Sequence, residues 1–289
     1  MRWDRGNNSS NIEDRRSEGG AGGGLGFGGG GGGGLPLWGL LAIAGRFGWK
    51  GILIALVVIG GLMYGGNFCG GSGGTVSPPP PSEHQGAVPS SQSRGAATDD
   101  DAKHFVGDVL DDVQKTWRDQ LRGYEDAKLV LFRNSIRSAC GTATSAVGPF
   151  YCQVDHKVYI DLAFYDMLRQ RFGAPGDFAQ AYVIAHELGH HVQNLRGLLG
   201  HDDVSSVKVE LQADCLAGAW AKSADSRGKV EVGDIDEALN AATQIGDDTI
   251  QRKQTGHVQP ETFTHGSAAQ RTGAFRQGYQ GGAAACGIQ

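Results

Sequence analysis

His186-Glu187-Leu188-Gly189-His190 sets two histidines four residues apart in a stretch of helical character, so both imidazoles leave the same face of one helix. Asp177 followed by Gln180, just past the break Gly173-Ala174-Pro175-Gly176, reads as a capping pair that opens this helix. Two imidazoles so placed can aim at one tetrahedral ion, while the glutamate between them lies too far around the helix to be a third ligand. In this HExxH arrangement Glu187 takes the proton of a metal-bound water.

A catalytic zinc needs a third protein ligand and one open position. The next helical segment, about 205–222, offers Glu210, with Asp214 one turn later on the same face and able to accept a hydrogen bond from His186. Ala213, Ala217, Gly218 and Ala221 form a stripe predicted to pack closely on the helix carrying Ala185 and Gly189. One Zn2+ per chain is expected, held by His186, His190 and Glu210, with Asp214 behind His186. The competing reading of Glu210 and Asp214 is a solvated helix face. His191 reads as a surface or packing residue.

Outward from this site, Val106, Leu110, Val113, Trp117 and Leu121 recur at helical spacing and predict a helix over 103–122. Runs 129–133, 149–153 and 157–162 are β-prone, and Asp155 and His156 form a turn between the last two, predicting a small antiparallel sheet. The pattern turns helical again from Asp161 through Arg171. Cys140 and Cys152 flank the sheet loop and could staple it; Cys215 with Cys286 would tie the Glu210 helix to the C-terminus, although sequence leaves the pairing open. The expected fold class is α+β, mainly helical, over residues 102–289.

The first third of the chain differs in composition. Residues 1–34 are polar and then almost pure glycine, which predicts a disordered cytoplasmic arm. Residues 35–68 are apolar, with one transmembrane helix expected at about 49–68; the shorter stretch 35–47 reads as an interfacial helix or half of a hairpin, which would reverse the topology. Arg and Lys precede this span and none follows until Arg94, so the N-terminus is expected in the cytoplasm and the later domain outside it. Residues 69–101, rich in Gly, Ser and Pro, read as a flexible linker. The cysteines beyond the apolar span suit an oxidising compartment. A net charge of -5 excludes the broad basic surface that nucleic-acid binding needs. The oligomeric state is left open.

Met1-Arg2-Trp3, Asn11 to Arg16, Gly148 to Cys152, Val158 to Leu162, His186 to Gln193, Glu210 to Cys215 and Thr262 to Gly266 together resemble the bacterial family described as "putative neutral zinc metallopeptidase", which has a single membrane anchor. The likeness runs nearly full length. HExxH with a downstream ExxxD is similar to the gluzincin class, which implies a compact zincin-like domain, Glu210 as third ligand, and a sheet edge that holds a peptide substrate extended. Thr264-His265 with Arg271 is similar to a histidine context near the active site in compact members, which implies that His265 is close to the reacting atoms. Either His265 or Tyr279 could then donate to the oxyanion, with strand 157–162 or 149–153 binding the protein or peptide substrate. The rival reading is a membrane-tethered zinc-binding scaffold; the intact Glu187 argues for the peptidase.

Overall fold

Val106, Val109, Leu110, Val113 and Trp117 recur every three or four residues and are all fully buried, the apolar stripe of helix α1 (Ser91–Gln120). This computed structural model describes residues 1–18, 91–170, 172–174, 176–199 and 206–288. The described residues of 1–27 and of 101–289 form one compact unit. Helix α1 begins at Ser91, so the expected linker is helical over its last residues.

Strands β1 (Ile12–Asp14), β2 (Lys128–Phe132), β5 (Phe150–Cys152) and β6 (Lys157–Asp161) form one sheet in the order β1-β2-β6-β5, and β3 (Ser135–Ser138) pairs with β4 (Gly141–Thr144) in a separate hairpin. The expected antiparallel sheet is in fact mixed: β1, β2 and β6 run parallel, and only β5 is antiparallel to its neighbour β6. The reason lies in the central strands. Leu129 to Phe132 and Val158 to Ile160 are unbroken apolar runs buried on both faces, the pattern of interior parallel strands. Leu129, Leu131, Val158 and Ile160 join the main core. Val130, Phe132 and Tyr159 pack beneath the β3–β4 hairpin with Ile136, Ala143 and Cys152. A Cys140–Cys152 disulfide fastens the hairpin's end to β5.

Residues 1–18, expected to belong to a disordered arm, are instead part of this unit. Ile12, Glu13 and Asp14 pair with Leu129, Val130 and Leu131. Trp3 meets Phe105 edge to face at 5.3 Å, and Ser9 Oγ donates to Asp111 at 2.6 Å. Because β1 and β2 share a sheet, residues 12–14 and 128–132 occupy the same side of any bilayer. A single crossing that puts the N-terminus on one face and the domain on the other is incompatible with that pairing. The expected transmembrane helix at 49–68 and the apolar stretch 35–47 lie outside the described residues. Among the described residues no helix is long and apolar enough to cross a membrane.

The remaining elements are helices: α2 (Ala163–Gln170), α3 (Asp177–Leu195), α4 (Ser206–Ser226), α5 (Asp234–Gln244), α6 (Asp247–Thr255) and α7 (Ala268–Gly281). α3 packs on α4 through Gly189, where a methyl group would sit 3.1 Å from Ala213 Cα and carbonyl oxygen. Gly218, expected on the same seam, faces α7 instead. A Cβ at Gly218 would come within 2.0 Å of the Phe275 carbonyl, and one at Gly278 within 1.8 Å of the Cys215 carbonyl, so α4 and α7 cross backbone to backbone. A Cys215–Cys286 disulfide closes the end of that crossing.

Candidate metal centre

Helix α3 starts on Gly176 with no side-chain cap, so the expected Asp177–Gln180 capping pair does not form. Asp177 instead takes the Met1 ammonium at 2.8 Å, which also lies 3.3 Å from Asp234, and Glu237 Oε2 accepts the Phe178 N–H at 3.1 Å. Asp177, Asp234 and Glu237 thus form a carboxylate cluster with a structural task, joining the starts of α3 and α5 to the N-terminal segment.

One turn further along α3, Tyr182 and then His186 and His190 point toward α4. Ligand atoms of His186, His190 and Glu210 lie within 4.8 Å of one another. Glu210 Oε2 is 3.1 Å from His186 Nε2 and 3.7 Å from His190 Nε2. Donors around tetrahedral zinc stand about 3.4 Å apart, so these atoms fit that ion. Both Nδ1 atoms are engaged elsewhere, His186 with Asp214 Oδ1 at 2.8 Å and His190 with Gln193 Oε1 at 2.8 Å, which leaves both Nε2 atoms to the centre. The side chains become more exposed from His186 (8%) through His190 (14%) to Glu210 (18%), so the cluster opens on one side.

Asp214 is fully buried and saturated. Tyr182 Oη donates to its Oδ1 at 2.5 Å, and Arg271 donates to both oxygens, Nε at 2.9 Å and Nη2 at 3.0 Å. Burial alone would raise the Asp214 pKa, but Arg271 and His186 outweigh it and hold the carboxyl at about 2. Burial would likewise depress His186, yet Asp214 and Glu210 push it up to about 10. Glu210 is held well below its ordinary range against burial, by His190 and His186. The centre therefore keeps both carboxylates ionised. Glu187 behaves differently: burial raises its pKa, outweighing the opposing pull of His186 and His190.

His265 is half-exposed and close enough to Glu187 to lower that carboxyl's pKa. Its Nδ1 lies 2.9 Å from Thr264 Oγ1 and 3.3 Å from Asp247, whose Oδ2 also accepts the backbone N–H groups of Thr264, His265 and Gly266. Tyr279, the other expected oxyanion donor, is elsewhere: its hydroxyl donates to Asp225 at 2.8 Å on the surface, because the α4–α7 crossing turns it outward. His191 is buried between Tyr151 Oη at 3.0 Å and the Glu125 carbonyl at 2.7 Å. Tyr182, Gln193 and Asp247 escaped the sequence reading. The first two stand four residues before His186 and three after His190, a spacing that marks neighbours on a helix face. Asp247 carries no such signal.

Over residues 1–287 the sequence matches the family described as "Putative neutral zinc metallopeptidase". It is 40% identical over 302 residues to a protein of Escherichia coli named "Uncharacterized protein YpfJ", an overlap of 98% of this chain and 96% of that one. "Uncharacterized protein Rv2575" of Mycobacterium tuberculosis and "Uncharacterized protein Mb2605" of Mycobacterium bovis are each 44% identical over 217 residues, 66% of this chain and 72% of theirs. No solved structure matches. With the match covering the strand at 12–14 as well as the metal centre, the chain belongs to the family of neutral zinc metallopeptidases so described.

Proposed function

We propose that the chain is a zinc-dependent peptidase, with one Zn2+ on His186, His190 and Glu210 and with Glu187 as general base. The observation that carries this reading is the convergence of three ligand atoms from two packed helices beside a buried carboxylate that is not required as a ligand. A structural zinc closes four positions with Cys or His, whereas among the described residues this donor set numbers three and includes a carboxylate. When bound, zinc supplies Lewis acidity and lowers the pKa of a coordinated water to about 7.

Glu187 takes the proton of the attacking water and delivers it to the leaving nitrogen; its burial, by raising the pKa, makes it the stronger base. His265, with Nδ1–H held by Asp247, donates from Nε2–H to the developing oxyanion in the form that carries a proton on both ring nitrogens. The substrate is a protein or peptide in extended form. Strand β6 is flanked by β2 and β5 and has no free side, whereas among the described residues β5 is bonded along one side only and lies against α3 through Tyr151, which accepts from Asn194 at 2.9 Å. A peptide added to β5 is read through its backbone, so specificity is loose. Two disulfides favour an oxidising compartment, and we place the domain outside the cytoplasm, attached to the bilayer through 35–68 with both flanks of that segment on one side.

The test is Glu187→Gln in the full chain. Zinc content should be unchanged and casein hydrolysis should fall by about 10²–10⁴-fold. Undiminished hydrolysis would refute the assignment, and a zinc-loaded wild type that cleaves nothing would favour a tethered scaffold.

A further inference from the structure

The two histidines of the centre are supported differently. His186 is backed by the charge of Asp214, His190 by a neutral chain of amides. His190 Nδ1 lies 2.8 Å from Gln193 Oε1. Gln193 is fully buried, and its Nε2 donates to the Val209 carbonyl at 2.8 Å and to Gln212 Oε1 at 2.9 Å. Gln212 Nε2 donates in turn to the Cys286 carbonyl at 2.9 Å. The ends of this chain fix its direction. Backbone carbonyls only accept, so Val209 and Cys286 each demand an amide N–H, and both glutamine oxygens must then face the centre. Gln193 Oε1 accepts from His190, which puts the proton on Nδ1 and the lone pair on Nε2, the atom that faces Glu210.

All links but the last sit on α3 and α4. The last is the turn Ala283–Cys286, which the Cys215–Cys286 disulfide clamps to α4 across 71 residues of sequence. Cys215 stands three residues beyond Gln212, so clamp and relay share one helix face.

The geometry points to Gln193 and Gln212 as positioning residues that hold His190 in its metal-binding tautomer, and to the disulfide-clamped C-terminal turn as the part that closes the relay. This deepens the zinc reading above and rests on it. The two cysteines touch no ligand, yet breaking their bond frees the Cys286 carbonyl, lets the Gln212 amide turn, and loosens His190.

The experiment is the zinc dissociation constant of the detergent-solubilised full chain, by competition with a chromophoric chelator. Gln193→Met should raise it about 10–100-fold, and Gln212→Met or the pair C215A and C286A should raise it in the same direction by about tenfold. Adding C215A and C286A to Gln193→Met should then cause no further rise, since the relay is already cut. Fully additive losses, or wild-type affinity in folded Gln193→Met, would overturn the proposal. The 15N spectrum of the zinc-loaded wild type needs no variant to fold: it should show His190 metallated at Nε2 with a proton on Nδ1, and metal on Nδ1 would refute the relay. A wild type without zinc affinity defeats the peptidase reading itself, whereas tight zinc with indifferent variants defeats the relay alone.

Discussion

Arg271 on α7 and Asp214 on α4 meet in a two-pronged ion pair with 3% and 0% of their side chains exposed, and this pair stands directly behind His186. The helix that contains no proposed metal ligand thereby governs one that does. Arg271→Met leaves the Asp214 carboxylate buried without its counter-charge, at a cost of about 3–5 kcal/mol. Urea unfolding measures the loss, and adding Asp214→Asn should recover part of it.

Helix crossings here differ in tolerance. A methyl group at Gly218 meets backbone at 2.0 Å, one at Gly189 at 3.1 Å. Gly218→Ala forces α4 and α7 apart and should cost about 1–3 kcal/mol, with Gly189→Ala costing less. Equal urea midpoints for the two variants would contradict the crossing geometry.

Asp247 organises the loop that carries His265. His265→Ala should lower kcat by about 10²–10³-fold at unchanged zinc content, and Asp247→Ala should follow it less steeply. Burial by itself raises the Asp247 pKa, but the hydrogen bonds from His265 and Gly266 overcome it and hold the carboxyl below its ordinary value. A depressed folded-state pKa means that its stabilisation is full above about pH 4 and is lost as pH falls through the folded value. Acid should therefore loosen this loop in the wild type and leave Asp247→Ala indifferent, as read by hydrogen exchange at 264–266.

A fragment beginning at Ala102 lacks β1, Met1 and Trp3. Its stability should fall by at least about 3 kcal/mol relative to the full chain, since buried apolar contacts and one strand are removed. For membrane sidedness, Ser10 and Glu261 are both exposed. Placed in a C69S background, S10C and E261C should react alike with a membrane-impermeant maleimide in intact cells. Opposite reactivity would mean that β1 does not pair with β2 in the cell.

The convergence of His186, His190 and Glu210 was legible because HExxH and ExxxD are local patterns on helices, where spacing dictates facing. The sheet was less so. Ile12-Glu13-Asp14 is too short and acidic to read as a strand, and its partner, Leu129 to Leu131, lies more than a hundred residues away. Long-range pairing leaves no periodicity to detect. Arg271 was singled out by resemblance, but its contact with Asp214 depends on the α4–α7 crossing, which a reading of Gly218 as part of the α3 seam misplaced.

The link between α7 and Asp214 also bears on the order in which the chain is made. A ribosome releases β1 long before β2 and α3 long before α7, and distant pairings form late in folding. Until Arg271 has emerged, Asp214 has only Tyr182 and His186 as partners and lacks the guanidinium that holds both of its oxygens. The support behind His186 is thus complete only once α7 has been made and has crossed α4.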